Sequence, residues 1–210
     1  MKRKQAPERH LILFTRAPRL GLGKRRLARA IGLLAADRFH RRVTAGLLRE
    51  MGRDPRFRLW LAVTPDFAGG FCAAWPEAKR ARVIPQGRGD LGARMGRLFR
   101  ALPKGPVLLM GTDVPSVSLR DIRAAFRALQ DHDAVFGPAK DGGYWLVGFR
   151  RLVQPFHPFR HVRWSSPHAL ADTLANLKSD WRIARIATHD DVDDEAAYRR
   201  WREGGRKKRR

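Results

Sequence analysis

The segment TRAPRLGLGKRRLA, residues 15–28, places Gly21 and Gly23 just ahead of Lys24, Arg25 and Arg26. Glycines let backbone amides come close to a ligand, and cationic side chains at the start of a helix, where free amides also point outward, favour an anion. That is the chemistry of a phosphate site. The spacing is neither the Walker pattern nor GxGxxG, because Arg26 stands where a third glycine would be. The plain alternative is a basic loop in an arginine-rich chain, and the position directly after the first strand favours the site. Further along, LLMGTDVPSVS, residues 108–118, ends an apolar run at Asp113, with Pro115 turning the chain away. A carboxylate at the carboxyl end of a strand is a hard oxygen ligand suited to Mg2+ or Mn2+, or else an Asp that bonds turn amides.

Three more segments offer weaker chemistry. In GPAKDGGYWLVGF, residues 137–149, Asp141 precedes two glycines and a strand. Asp-Gly-Gly is ordinarily a hairpin turn, yet a turn beside the strand that carries Asp113 could hold Asp141 towards the same cleft, as a hydroxyl ligand or general base. QGRGDLGARM, residues 86–95, is a glycine-rich turn into a helix, in which Gly89 and Asp90 could hold a base or ribose. HDDVDDEAAY, residues 189–198, offers Asp191 and Asp193 as further metal ligands, although acidic residues at a helix start also suit the helix dipole. His157, His161 and His168 read as loop or core residues, since no HExxH pattern is present and prolines flank His157.

These segments need a scaffold that brings strand ends together. Apolar runs at 10–15, 57–63, 81–85, 106–112, 133–137, 144–149 and 181–187 read as strands. Between them, apolar residues recur at helical spacing: Phe39, Val43, Leu47 and Met51; Leu91, Met95, Leu98 and Leu102; Ile122, Phe126 and Leu129; Leu170, Leu174 and Leu177. Ser118 with Asp121 forms a capping-box pattern, and Ser166 before Pro167 suits an N-cap and first helical position. Such alternation predicts an α/β fold, a doubly wound, mostly parallel sheet with helices on both faces, whose ligands sit beyond the carboxyl ends of the strands.

The 210 residues suit one domain with a buried core. We expect a basic extension over 1–9, a catalytic domain over 10–203, and a basic disordered tail over 204–210 in which Gly204 and Gly205 end the last helix. A single cysteine, Cys72, excludes an internal disulfide framework and a multi-cysteine zinc site. With no long apolar run and no signal-peptide pattern, it predicts a cytoplasmic protein. The formal charge is +24; Lys2, Arg3, Lys4 and Arg9 less Glu8 contribute +3 and Arg206 to Arg210 contribute +5, leaving +16 in the body. That field attracts nucleotides, nucleic acid or an anionic membrane surface without choosing among them.

Taken in order, FTRAPRLGLGKRRLA, QGRGDLGARM, GTDVPSVS, GPAKDGGYWLVGF, RWSSPHALADTL and DVDDEAAY resemble a family of small bacterial GT-A-fold glycosyltransferases. That family includes members assigned to arsenosugar biosynthesis and is similar to the nucleotidyltransferases that make molybdopterin dinucleotides and guanylate phospholactate. The resemblance spans about residues 10–198, and GPAKDGGYWLVG is its most specific piece. It implies a nucleotide-diphospho-sugar transferase-like fold, with Lys24 and Arg26 binding phosphate, Asp113 and Asp193 binding a divalent metal, and Asp141 as the acid of the DGGY block. Arg25 stands where the family has a small hydroxyl residue, and Asp-Val-Pro replaces Asp-x-Asp, so chelation by two carboxylates must draw on distant segments.

The expected activity is glycosyl transfer from a nucleoside-diphosphate sugar to a hydroxyl acceptor, either a small molecule or a lipid. Nucleotidyl transfer from an NTP with release of pyrophosphate is the alternative. A third reading is a polyanion-binding protein on an inactive GT-A fold, touching anionic membrane or nucleic acid weakly through its basic surface; the charge is its whole case.

Overall fold

The computed structural model describes residues 8–18, 24–66, 75–150 and 157–207. Gly21, Gly23 and Cys72 lie outside them. All seven expected strands form: β1 (His10–Arg16), β2 (Arg58–Thr64), β3 (Arg82–Pro85), β4 (Val107–Gly111), β5 (Ala134–Pro138), β6 (Tyr144–Phe149) and β7 (Ile183–Arg185). They make one sheet in the order β3-β2-β1-β4-β6-β5-β7. β6 alone runs antiparallel to its neighbours, β4 and β5. The remaining pairings are parallel.

Alternate residues along each central strand point to opposite faces, and both faces are apolar. Leu11, Leu13, Leu59, Leu61, Leu108 and Met110 enter one core. It is covered by helices α1 (Arg25–Ile31), α2 (Leu33–Met51), α4 (Leu119–Asp131) and α6 (Glu195–Lys207). Ile12, Trp60, Ala62, Leu109 and Val147 enter the other, covered by α3 (Leu91–Ala101) and α5 (Ala169–Ala175). Helices therefore lie on both faces, as the alternation of periods requires. The helical stripes face inward as their spacing predicts: Phe39, Val43, Leu47 and Met51 are buried on α2, and Ile122, Phe126 and Leu129 on α4.

Two local expectations need correction. Ser118 and Asp121 do form a reciprocal capping box at α4, but Ser166 does not cap α5. That helix starts at Ala169 with His168 in the cap position, and the Ser166 hydroxyl accepts the His168 amide in a turn ahead of it. The hydroxyl also donates to the Arg163 carbonyl, so the local turn wins over the helix end. At the other end, α6 continues through Gly204 and Gly205 to Lys207 instead of stopping at the glycines. Glycine lowers helix propensity by only about 1 kcal/mol per residue, which a helix already anchored can absorb. Among the described residues, no helix is long and apolar enough to cross a membrane.

His10, fully buried at the start of β1, accepts the Trp60 indole N–H on Nδ1 at 3.2 Å. Burial pushes its pKa below the ordinary 6.5. A histidine kept neutral by the fold binds fewer protons there than in the unfolded chain, so its contribution is complete above the ordinary value and is lost as pH falls. Urea unfolding should show stability declining between pH 7.5 and pH 5.5, with a shallower slope in His10→Gln.

Candidate functional site

The carboxyl ends of β1 and β4 lie side by side, and their last side chains hold them there. Thr15 and Thr112 share a buried hydroxyl–hydroxyl hydrogen bond of 2.8 Å. Asp113 follows immediately, and its backbone carbonyl accepts the Val192 amide at 3.0 Å, which fixes the acidic loop between β7 and α6 against the end of β4. Lys24 precedes α1 in a left-handed conformation, with φ of 51°. Its ammonium reaches across both segments, 3.1 Å from Asp113 Oδ1 and 2.5 Å from Asp193 Oδ1, and donates to the Val192 carbonyl at 2.9 Å. The Lys24 side chain is only 6% exposed. Burial opposes its charge, but the Asp113 and Asp193 carboxylates outweigh that and raise its pKa.

Four acids gather at this point. Asp191 is pushed up to about 7 by burial first and then by the neighbouring Asp193 carboxylate, with Asp141 adding to the repulsion. Asp193 moves the other way: burial opposes its ionisation, yet Lys24, a hydrogen bond from Asp191 and the Arg26 charge hold it ionised. The two carboxyls thus shift in opposite directions, with Asp191 the one that favours keeping its proton. Arg26 is exposed on α1 at the rim.

Asp141 occupies the turn between β5 and β6, where its Oδ1 accepts the Gly143 amide at 2.9 Å. Gly142 has φ of 85°, and a Cβ there would overlap the Pro167 carbonyl oxygen. The glycine therefore lets the turn close against the segment before α5, whose Leu170 amide bonds the Gly142 carbonyl at 3.1 Å.

Lys24, Arg26, Asp113, Asp141 and Asp193 are thus brought together from four separated stretches of chain. Gly89 and Asp90 are placed apart from them, after β3, two strands from β1. Gly89 has φ of 106°, and Asp90 caps α3 by accepting the Ala93 amide at 2.7 Å. Among the described residues, no hydrogen bond or ion pair joins them to the acid cluster. Two residues in that motif escaped the sequence reading. Gln86 is fully buried and donates its amide to the Thr15 and Ala62 carbonyls at 2.7 and 2.9 Å, while its side-chain oxygen accepts Arg94 Nη1 at 2.9 Å. Arg94 in turn lies over the Phe14 ring. The signal in the sequence was a glutamine opening a glycine-rich turn.

The acidic pair fits a hard divalent cation on one observation: a cationic nitrogen already sits where both carboxylates converge. Asp113 and Asp193 could hold such an ion, with phosphate oxygens of a ligand completing its shell, as Mg2+ sites commonly do. Among the described residues, no three acid, histidine or cysteine side chains form a ready metal cage.

Replacing Gly142 by Ala should lower stability by about 1–3 kcal/mol, because both the positive φ and the Pro167 contact oppose a side chain; chemical denaturation reads the change. Lys24→Ala should cost about 1–3 kcal/mol at pH 7 by leaving the facing carboxylates without their cation. The penalty should shrink at pH 4, where protonation relieves the repulsion.

No curated protein matches this sequence significantly. Among solved structures, the chain is similar to a Desulfovibrio desulfuricans G20 protein provisionally assigned as a nucleotide-diphospho-sugar transferase, with 27% identity over 89% of this chain and 82% of that one and a TM-score of 0.78. The Rv0371c protein of Mycobacterium tuberculosis H37Rv, solved in complex with manganese, shares 19% identity over 92% of this chain and 97% of its own, with a TM-score of 0.55. CMP:2-keto-3-deoxy-manno-octonic acid synthetase complexed with CTP shares 11% identity over 96% of this chain and all of its own (100%), at 0.59. The last two show a shared fold. Residues 47–166, more than half of the chain, match the family described as "Uncharacterized protein conserved in bacteria (DUF2064)", and the protein belongs to that family.

Proposed function

We propose that this protein is a glycosyltransferase that takes a sugar from a nucleoside-diphosphate donor and passes it to a hydroxyl acceptor, a small molecule or a lipid, in the cytoplasm. The reading is carried by one observation: Lys24 meets Asp113 and Asp193 at the carboxyl edge of a mostly parallel sheet, the edge where ligands of such folds bind. The likeness to the Desulfovibrio protein supports the donor class.

In this reading Lys24 and Arg26 bind the donor's diphosphate, assisted by the backbone at Gly21 and Gly23, while Gly89 and Asp90 border the nucleoside. Asp113 and Asp193 would hold Mg2+ or Mn2+, a choice the manganese complex of Rv0371c supports; bound there, the ion neutralises charge on the diphosphate. Lys24 and Arg26 add fixed positive charge where negative charge grows as the bond from sugar carbon to phosphate oxygen breaks and the diphosphate departs with the electron pair. Asp141 accepts the acceptor's hydroxyl proton as its oxygen bonds to the sugar carbon.

Incubation with Mg2+ or Mn2+ and a panel of sugar nucleotides and NTPs tests this directly. Release of nucleoside diphosphate is the expected outcome, and release of pyrophosphate from an NTP would replace the proposal with nucleotidyl transfer. Once a donor is found, Asp113→Asn should reduce kcat on the order of 10²–10³-fold, the scale of losing one electrostatic stabiliser. Asp141→Asn should lower transfer to acceptor by about 10²–10⁴-fold with little change in donor KM.

A further inference from the structure

The amino-terminal edge of the sheet, opposite the acid cluster, holds a second concentration of charge. A cavity of about 140 Å3 opens there. Phe57 and Phe126 form its apolar floor, stacked with ring centroids 5.6 Å apart. Four guanidinium groups ring it, those of Arg9 before β1, Arg56 before β2, and Arg123 and Arg127 on α4.

One carboxylate stands among them. Asp54, with 1% of its side chain exposed, accepts Arg56 Nε at 2.9 Å, the Arg56 amide at 3.0 Å and Arg123 Nε at 3.0 Å. Desolvation opposes its ionisation, but those hydrogen bonds hold its pKa down to about 2, so it stays charged at any ordinary pH. Its bonds take one Nε from each of two arginines and, among the described residues, leave their terminal nitrogens unused. Arg9 rests over the Phe126 ring with its guanidinium carbon 5.7 Å from the centroid. Among the described residues, neither the Arg9 nor the Arg127 side chain makes a hydrogen bond or an ion pair. The cavity therefore carries three positive charges beyond what Asp54 neutralises.

Guanidinium groups gathered around one concavity repel each other unless an anion joins them, and their planar donor forks match phosphate oxygens better than any other common group. The shared floor matters too. Arg56 and Arg123 are fixed by Asp54 before any ligand arrives, so less side-chain freedom is lost on binding. We infer that this cavity is a second anion site, which takes a phosphate group between Arg9, Arg56, Arg123 and Arg127, and which is independent of the site at the opposite edge of the sheet.

Calorimetric titration of the full chain with inorganic phosphate, at ionic strength held constant with sodium chloride, tests the inference. Saturable binding is expected, weakened at least about tenfold in Arg9→Gln/Arg127→Gln and unchanged in Lys79→Gln, which removes an exposed cation belonging to neither site. Circular dichroism verifies that the double variant is folded; should it not be, Arg127→Gln alone, which removes no contact holding the fold together, serves the same comparison. Absence of saturable binding, equal binding by the arginine variant, or an equal loss in Lys79→Gln would overturn the site.

Discussion

A single ammonium group, that of Lys24, lies between two carboxylates, one from the middle of the chain and one from near its carboxyl end, and the candidate site depends on that ion pair. Asp113 belongs to the loop after β4, and Asp193 to the loop before α6. Without a cation between them, these half-exposed acids and their neighbour Asp191 would repel each other. The cost of desolvating the lysine is met by two attractions at once, and a group held this way stays ionised. Burial and the neighbouring Asp193 raise the pKa of Asp191 against the pull of Lys24, which favours its protonated form more than in an ordinary carboxyl.

The sheet makes that encounter possible by being mostly parallel where it must and reversed where it can be. Parallel pairing of β1 with β2 and β4 sends their carboxyl ends to one edge, so the segment leading to Lys24 and the loop of Asp113 leave from adjacent strands. The antiparallel β6 brings the tight turn of Asp141 to that same edge, because a strand running the other way begins where its neighbours finish. Hydrogen bonds between Thr15 and Thr112, and from the Val192 amide to the Asp113 carbonyl, then remove the residual freedom.

Charge is divided between the two edges. The carboxyl edge gathers aspartates around one buried lysine, whereas the amino edge gathers arginines around one buried aspartate, Asp54. In a chain of +24, the acidic patch is the exception. The arginine-ringed cavity is the complementary case, an excess of donors with too few acceptors among the described residues.

Local pattern was enough to read the layers. Seven apolar runs became seven strands, and the inward stripes of α2 and α4 follow from helical spacing alone, because burial repeats at 2.0 and 3.6 residues whatever the tertiary context. Where local chemistry competed with itself, the reading failed: Ser166 chose a turn over a cap, and two glycines did not end α6. The candidate acids could be named from their places after strands. Their meeting could not, since Lys24 and Asp193 are 169 residues apart and no spacing rule reaches that far. Strand order decided it, along with the roles of Gln86 and of the arginines around Asp54. A side chain's type is written in the sequence, but its partners are set by which strand ends the sheet places side by side.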